Sequence, residues 1–152
     1  MNYMGNSVVL TEIPDEITLA VWFTGCPVHC GNCHSKELWD ASAGDIMTEN
    51  LMTSMLVNYR DKCSCFCAMG GEWEPDTLIH YLKIARSMGY LTALYTGEPF
   101  VSDRLAGVLD YLKINPYVEL FGDLTKRTTN QIMYRLENGN LHNITNRFWK
   151  EP

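Results

Sequence analysis

Three of the six cysteines in this 152-residue chain fall within eight positions, in the run TGCPVHCGNCHS that starts at Thr24. The spacing is Cys26-x3-Cys30-x2-Cys33, with His34 directly after. Three thiolates offer soft ligands suited to an iron–sulfur cluster or to zinc. They can turn toward one centre only if the backbone curls tightly, and Gly25, Pro27 and Gly31 help it do so. Structural zinc asks for four closed ligands, so the fourth would be His34 or a distant cysteine. A redox pair of Cys30 and Cys33, or small cysteines packed in a core, are the further readings of the same residues. On a cubane cluster, three thiolates leave one iron without a protein ligand, a place where a substrate or cofactor can coordinate.

A second group is MGGEWEP, where Gly70 and Gly71 precede Glu72. Two glycines let a backbone approach a ligand closely, and the carboxylate is an acceptor for a cation. The remaining cysteines, Cys63, Cys65 and Cys67, alternate and so face one side of an extended strand. Successive members on a strand lie about 6.5–7 Å apart along its axis, too spread for three ligands on one cubane, and they read as core residues.

The elements that must position these groups follow from the hydrophobic pattern. ITLAVWF, residues 17–23, is β-branched and aromatic, a strand buried on both faces that runs straight into the cysteine loop. Thr48 caps a predicted helix reaching about Tyr59. Residues 63–69 are a second strand ending at the Gly–Gly pair. Asp76 is the predicted cap of an amphipathic helix with Leu78, Leu82 and Ala85 on one face and Gly89 as its stop. YLTALYT is a third strand, Ser102 starts another helix, and strands are expected at Tyr111–Ile114 and in YVELF. Strand, loop and helix recur, which predicts an α/β fold with right-handed βα units and a mainly parallel sheet. Near the end, alternating Ile132, Tyr134 and Leu136 before Asn138–Gly139 predict a C-terminal antiparallel hairpin. Ligands of parallel βα folds bind at the carboxyl ends of the strands, so the loops after Phe23, Met69, Thr96 and Ile114 are expected on one face.

Composition sets the frame. At 46% hydrophobic and 20% charged residues the chain is an ordinary globular one, and residues 1–152 are expected to form a single domain. A net charge of −6 gives no footprint for a nucleic-acid backbone. No apolar run reaches the roughly 18 residues of a membrane span. The first residues lack the basic and apolar regions of a secretory signal, so a cytoplasmic, thiol-reducing location is expected.

The spacing Cys-x3-Cys-x2-Cys after a first strand resembles the signature of radical S-adenosylmethionine (radical SAM) enzymes. GCPVHCGNCHSKELWD is similar to the activating enzymes of glycyl-radical enzymes, which continue from the last cysteine as His, Asn or Ser and later Trp–Asp. The lead-in EIPDEITLAVWFTGCP, with LDYLKINPY and TTNQIMYRL, resembles one branch, the small activating proteins of anaerobic ribonucleoside-triphosphate reductase. The resemblance implies an incomplete βα barrel, a [4Fe–4S] cluster on Cys26, Cys30 and Cys33, and SAM chelated by the remaining iron. It implies that Gly70, Gly71 and Glu72 receive the methionyl ammonium, and that Asn32 and His34 lie along the adenine. Thr96 then meets the ribose or methionine, and Lys113 is a cation near the SAM carboxylate. The implied substrate is a glycine Cα–H of the reductase, abstracted to leave a glycyl radical, with electrons from a flavodoxin-like donor. Relatives often carry an aromatic residue or Gly just before the third cysteine, where this chain has Asn32. The ferredoxin-like insertion of longer activases is absent from the sequence. Activation of a formate-lyase-type partner, small-molecule radical SAM synthesis and a zinc-stabilised binding module are the alternatives.

Overall fold

The computed structural model describes residues 1–29 and 36–150. Its centre is four parallel strands: β2 (Thr18–Phe23), β4 (Cys65–Met69), β5 (Leu91–Tyr95) and β6 (Tyr111–Ile114). Each is rich in apolar or β-branched residues on both faces, the composition of a strand covered from two sides. The connections α1 (Glu49–Tyr59), α2 (Pro75–Ser87) and α3 (Asp103–Ala106) return the chain between parallel neighbours. Antiparallel strands extend both flanks. β1 (Asn2–Val9) joins β2 and carries the two-residue β3 (Asp45–Ile46) on its outer side. β7 (Ile132–Glu137) joins β6 and carries β8 (Asn140–Asn143). The eight-stranded order is β3-β1-β2-β4-β5-β6-β7-β8. The sheet is therefore mixed, and the expected parallel character belongs to its central four strands.

Alternation along these strands sorts side chains into two apolar clusters. Leu19, Val21, Phe23, Phe66, Ala68 and Leu94 face the helices, against Met52, Leu56, Leu78, Leu82 and Leu105. Cys65, Cys67, Ala93, Tyr111 and Met133 face the other way and are covered by Ile13, Leu124 and the segment carrying Phe148. Cys63 precedes the strand rather than lying on it, and it packs in the helix-side cluster. The three alternating cysteines thus divide between the two faces, and Cys65 and Cys67 are fully buried.

Local chemistry explains the helix ends. Thr48 Oγ1 accepts from the Leu51 N–H at 3.1 Å, and Ser102 Oγ accepts from the Leu105 N–H at 3.2 Å. The helix after Ser102 is only one turn long, with Gly107 directly at its C-cap. At α2, Glu74 occupies the N-cap without a side-chain bond and Pro75 follows in the first turn, where its missing N–H costs nothing. Asp76 is therefore not the cap; its carboxylate pairs with Arg104 at 2.6 Å. The hairpin of β7 and β8 turns at Asn138 (φ 52°) and Gly139 (φ 78°), the left-handed pair that a two-residue turn demands. YVELF forms no strand; Val118 and Gly122 make an isolated bridge within a loop.

Candidate functional site

Because β2, β4, β5 and β6 run parallel, their carboxyl ends lie at one end of the sheet. Cys26, the Gly70–Glu72 loop, Thr96 and Lys113 come from those four ends in turn. A cavity of about 360 Å³ there is bordered by Cys26, Gly70, Glu72, Trp73, Thr96 and Lys113, among others. Five of the six positions predicted within the described residues border this cavity, and Gly71 adjoins it in sequence. Cys30, Asn32, Cys33 and His34 lie outside the described residues.

The described part of the cysteine loop is held by the backbone. The N–H groups of Gly25 and Cys26 both donate to the Leu38 carbonyl, at 2.6 and 3.0 Å. Leu38 belongs to a 3-10 turn, Lys36–Trp39, so the segments on either side of residues 30–35 are tied together. The Trp39 indole stacks on the His29 ring with centroids 4.3 Å apart. Gly97 completes the contact from β5: a Cβ built there would stand 3.0 Å from Val28 Cγ1.

The glycines of the second loop leave room for two aromatic side chains. Gly70 donates its N–H to the Tyr95 carbonyl at 2.9 Å and takes φ +84°. The space left by its absent side chain is taken by the Trp73 indole, and that beside Gly71 by Phe23. Trp73 thereby forms part of the cavity wall, with Nε1 buried and without a hydrogen-bond partner among the described residues.

Glu72 is the chemical centre of the cavity. Its Oε1 accepts from Thr96 Oγ1 at 2.6 Å. Its Oε2 is buried with no hydrogen-bond partner among the described residues. Burial raises its carboxyl above the ordinary value of 4.5, opposed first by the Thr96 hydrogen bond, while Glu98 adds to the rise and Lys113 lowers it. Lys113 is itself buried, donating Nζ to the Asn115 carbonyl at 2.7 Å and to the Thr96 carbonyl at 3.3 Å. The ammonium also stands 5.8 Å from the Tyr95 ring centroid. An orphaned carboxylate oxygen beside a fixed cation suits a ligand that brings its own positive charge together with an anion. Asp123, which lies in no quoted motif, and Gln131, from the TTNQIMYRL stretch, reach the same cavity from the loop before β7.

Two larger cavities differ in character. One of about 730 Å³ lies between α3 and the β7–β8 hairpin and contains none of the predicted site residues. One of about 610 Å³, beside residues 10–15 and 147–150, shares Lys113 with the site. Among the described residues no helix is long and apolar enough to cross a membrane.

The family described as a 4Fe-4S single cluster domain matches residues 16–87. That stretch runs from just before β2, through the cysteine loop and the Gly–Gly–Glu loop, to the last residue of α2. Pyruvate formate-lyase-activating enzyme of Clostridium pasteurianum is 29% identical over 86 residues. That match covers 53% of this chain and only 36% of the relative. No solved structure matches. Together the two matches support an iron–sulfur cluster and a relationship to the glycyl-radical activases.

Proposed function

We propose that the protein is a radical SAM activase that generates a glycyl radical on anaerobic ribonucleoside-triphosphate reductase. On this reading the mixed sheet is an incomplete βα barrel, and Cys26, Cys30 and Cys33 hold a [4Fe–4S] cluster at its open end. The observation that carries the proposal is the meeting of Cys26 with the Gly70–Glu72 loop at one cavity, inside the stretch matched as a 4Fe-4S single cluster domain.

The residues present fit the implied groups. Cys26 stands on the cavity wall, where a thiolate can serve a cluster. Glu72 Oε2 is a buried acceptor without a donor among the described residues, as the methionyl ammonium of SAM would require. Lys113 supplies positive charge on the same wall, suited to the SAM carboxylate. When bound together, cluster and SAM would supply one-electron reductive chemistry. The chain's own contribution is to bind, orient and enclose. The ends of β2 and β4 fix the first two loops side by side, Glu72 and Lys113 set the orientation of the amino-acid group, and Trp73 and Leu38 give the cavity an apolar lining. Asn32 and His34 are assigned to the adenine on the strength of the motif.

A second reading has one observation in its favour: the relative quoted above is named as an activator of pyruvate formate-lyase. Anaerobic incubation with SAM, dithionite and either candidate partner separates the two. The proposed function predicts cluster-bound iron, release of 5′-deoxyadenosine and a glycyl EPR doublet on the reductase alone. A doublet on the lyase alone moves the assignment to the second reading. A colourless protein binding one zinc would reject both.

A further inference from the structure

We propose that Thr96 is a positioning residue that acts through Glu72, aiming its second carboxylate oxygen at the ligand, rather than a residue that itself touches SAM. This rests on the reading of the cavity as a SAM site. Thr96 is 3% exposed, and its hydroxyl is engaged on two sides. It accepts from the Glu98 N–H at 3.0 Å and donates to Glu72 Oε1 at 2.6 Å. A hydroxyl has one hydrogen, and the amide N–H can only donate. The direction of the chain is therefore determined: Glu98 N–H to Thr96 oxygen, Thr96 O–H to Glu72 Oε1. With that hydrogen spent on Oε1, the carboxylate is held through that oxygen and Oε2 is left buried, with no donor among the described residues.

The Thr96 backbone joins the same arrangement. Its N–H donates to the Lys113 carbonyl at 2.9 Å, and its carbonyl accepts from Lys113 Nζ at 3.3 Å. Residue 96 thus stands between the cavity's carboxylate and its cation, touching both. A threonine at the end of β5 reads from sequence as a ligand contact; the geometry makes it the support of one. Its effect should appear only with ligands that present a donor to Glu72.

The test compares Thr96→Val, which keeps shape and removes the hydroxyl, with Thr96→Ser, which keeps the hydroxyl. Anaerobic, cluster-loaded protein without reductant is titrated calorimetrically with SAM and with the desamino analogue of SAM. Thr96→Val is expected to weaken SAM binding by about tenfold, the size of one hydrogen bond to a charged group. Binding of the desamino analogue should change by less than about twofold, and Thr96→Ser should restore the wild-type preference. In a Glu72→Gln background, Thr96→Val should add much less than it does alone, because the two act as one unit. An equal loss for both ligands, or full additivity with Glu72→Gln, overturns the positioning role while leaving the SAM reading standing. Wild-type protein that binds neither ligand overturns both.

Discussion

The Trp73 indole lies over the backbone of Gly70, so close that a Cβ built at residue 70 would come within 2.6 Å of its Cη2. Gly70 also holds φ +84°, a conformation that costs an L side chain about 1–2 kcal/mol. Gly70→Ala therefore meets two penalties, conformational and steric, and is expected to lower unfolding free energy by roughly 2–4 kcal/mol. Gly89 is the internal control: its φ is +90°, yet nothing stands within 4 Å of a Cβ there. Gly89→Ala should lose only the conformational part, about 1–2 kcal/mol. Urea unfolding of both variants measures the difference. If the two losses are equal, the indole does not restrict residue 70.

Cys65 and Cys67 point away from the helices into a closed apolar cluster. Burial pushes both thiols far above their ordinary range, so neither offers a thiolate near neutral pH. In cluster-free native protein, iodoacetamide should therefore modify the half-buried Cys26 well before either of them. Cys65→Ala is expected to cost roughly 1–2 kcal/mol of stability and to leave iron content after anaerobic reconstitution unchanged. Cys26→Ala should remove the iron. Loss of iron from Cys65→Ala would show that the strand cysteines belong to the metal centre.

Asp110 closes the opposite end of the central strands. Its Oδ2 accepts from the Thr92 N–H and from Arg86 Nη1, each at 2.9 Å. Thr92 is fully buried, and it donates its hydroxyl to the Val108 carbonyl at 2.6 Å. Asp110→Ala strands a buried amide, an expected loss of about 1–3 kcal/mol. Arg86→Ala removes a cation whose side chain is 41% exposed and should cost less than about 1 kcal/mol. Chemical denaturation of the two single variants checks the order, and an Arg86→Ala loss as large as that of Asp110→Ala contradicts it.

Much of this architecture is written in local pattern. The strands at Thr18–Phe23, Leu91–Tyr95 and Tyr111–Ile114, the caps at Thr48 and Ser102, and the turn at Asn138–Gly139 each follow from side chains within a few residues. β1 does not, because NYMGNSVV mixes polar and apolar residues without alternation and is interrupted by a bulge between Tyr3 and Asn6. It becomes a strand because the outer edge of β2 offers it a partner. YVELF has strand-forming composition but no such edge, and Leu120 remains 84% exposed. The site divides in the same way. Which loops meet follows from parallel topology, and Cys26, Glu72, Thr96 and Lys113 could be named beforehand. That Thr96 bonds Glu72 across 24 residues, and that Trp73 fills the space above Gly70, depend on tertiary placement that no local spacing encodes.

The buried carboxyl of Glu72 also makes a prediction about pH. Burial raises its folded value above the ordinary 4.5, with Glu98 adding to the rise and Thr96 and Lys113 opposing it. The folded apoprotein then holds this proton more tightly than the unfolded chain does. As pH rises from about 4.5 through the folded value, the unfolded state releases its proton first, and stability falls across that window. Glu72→Gln keeps a similar shape and has no proton to lose. The wild-type unfolding free energy minus that of Glu72→Gln should therefore decline with increasing pH over the window and level off above it. Urea titrations of both apoproteins at a series of pH values measure this difference. A difference that increases with pH would mean that the neighbouring donors outweigh burial, and that Glu72 is already ionised and satisfied before any ligand arrives.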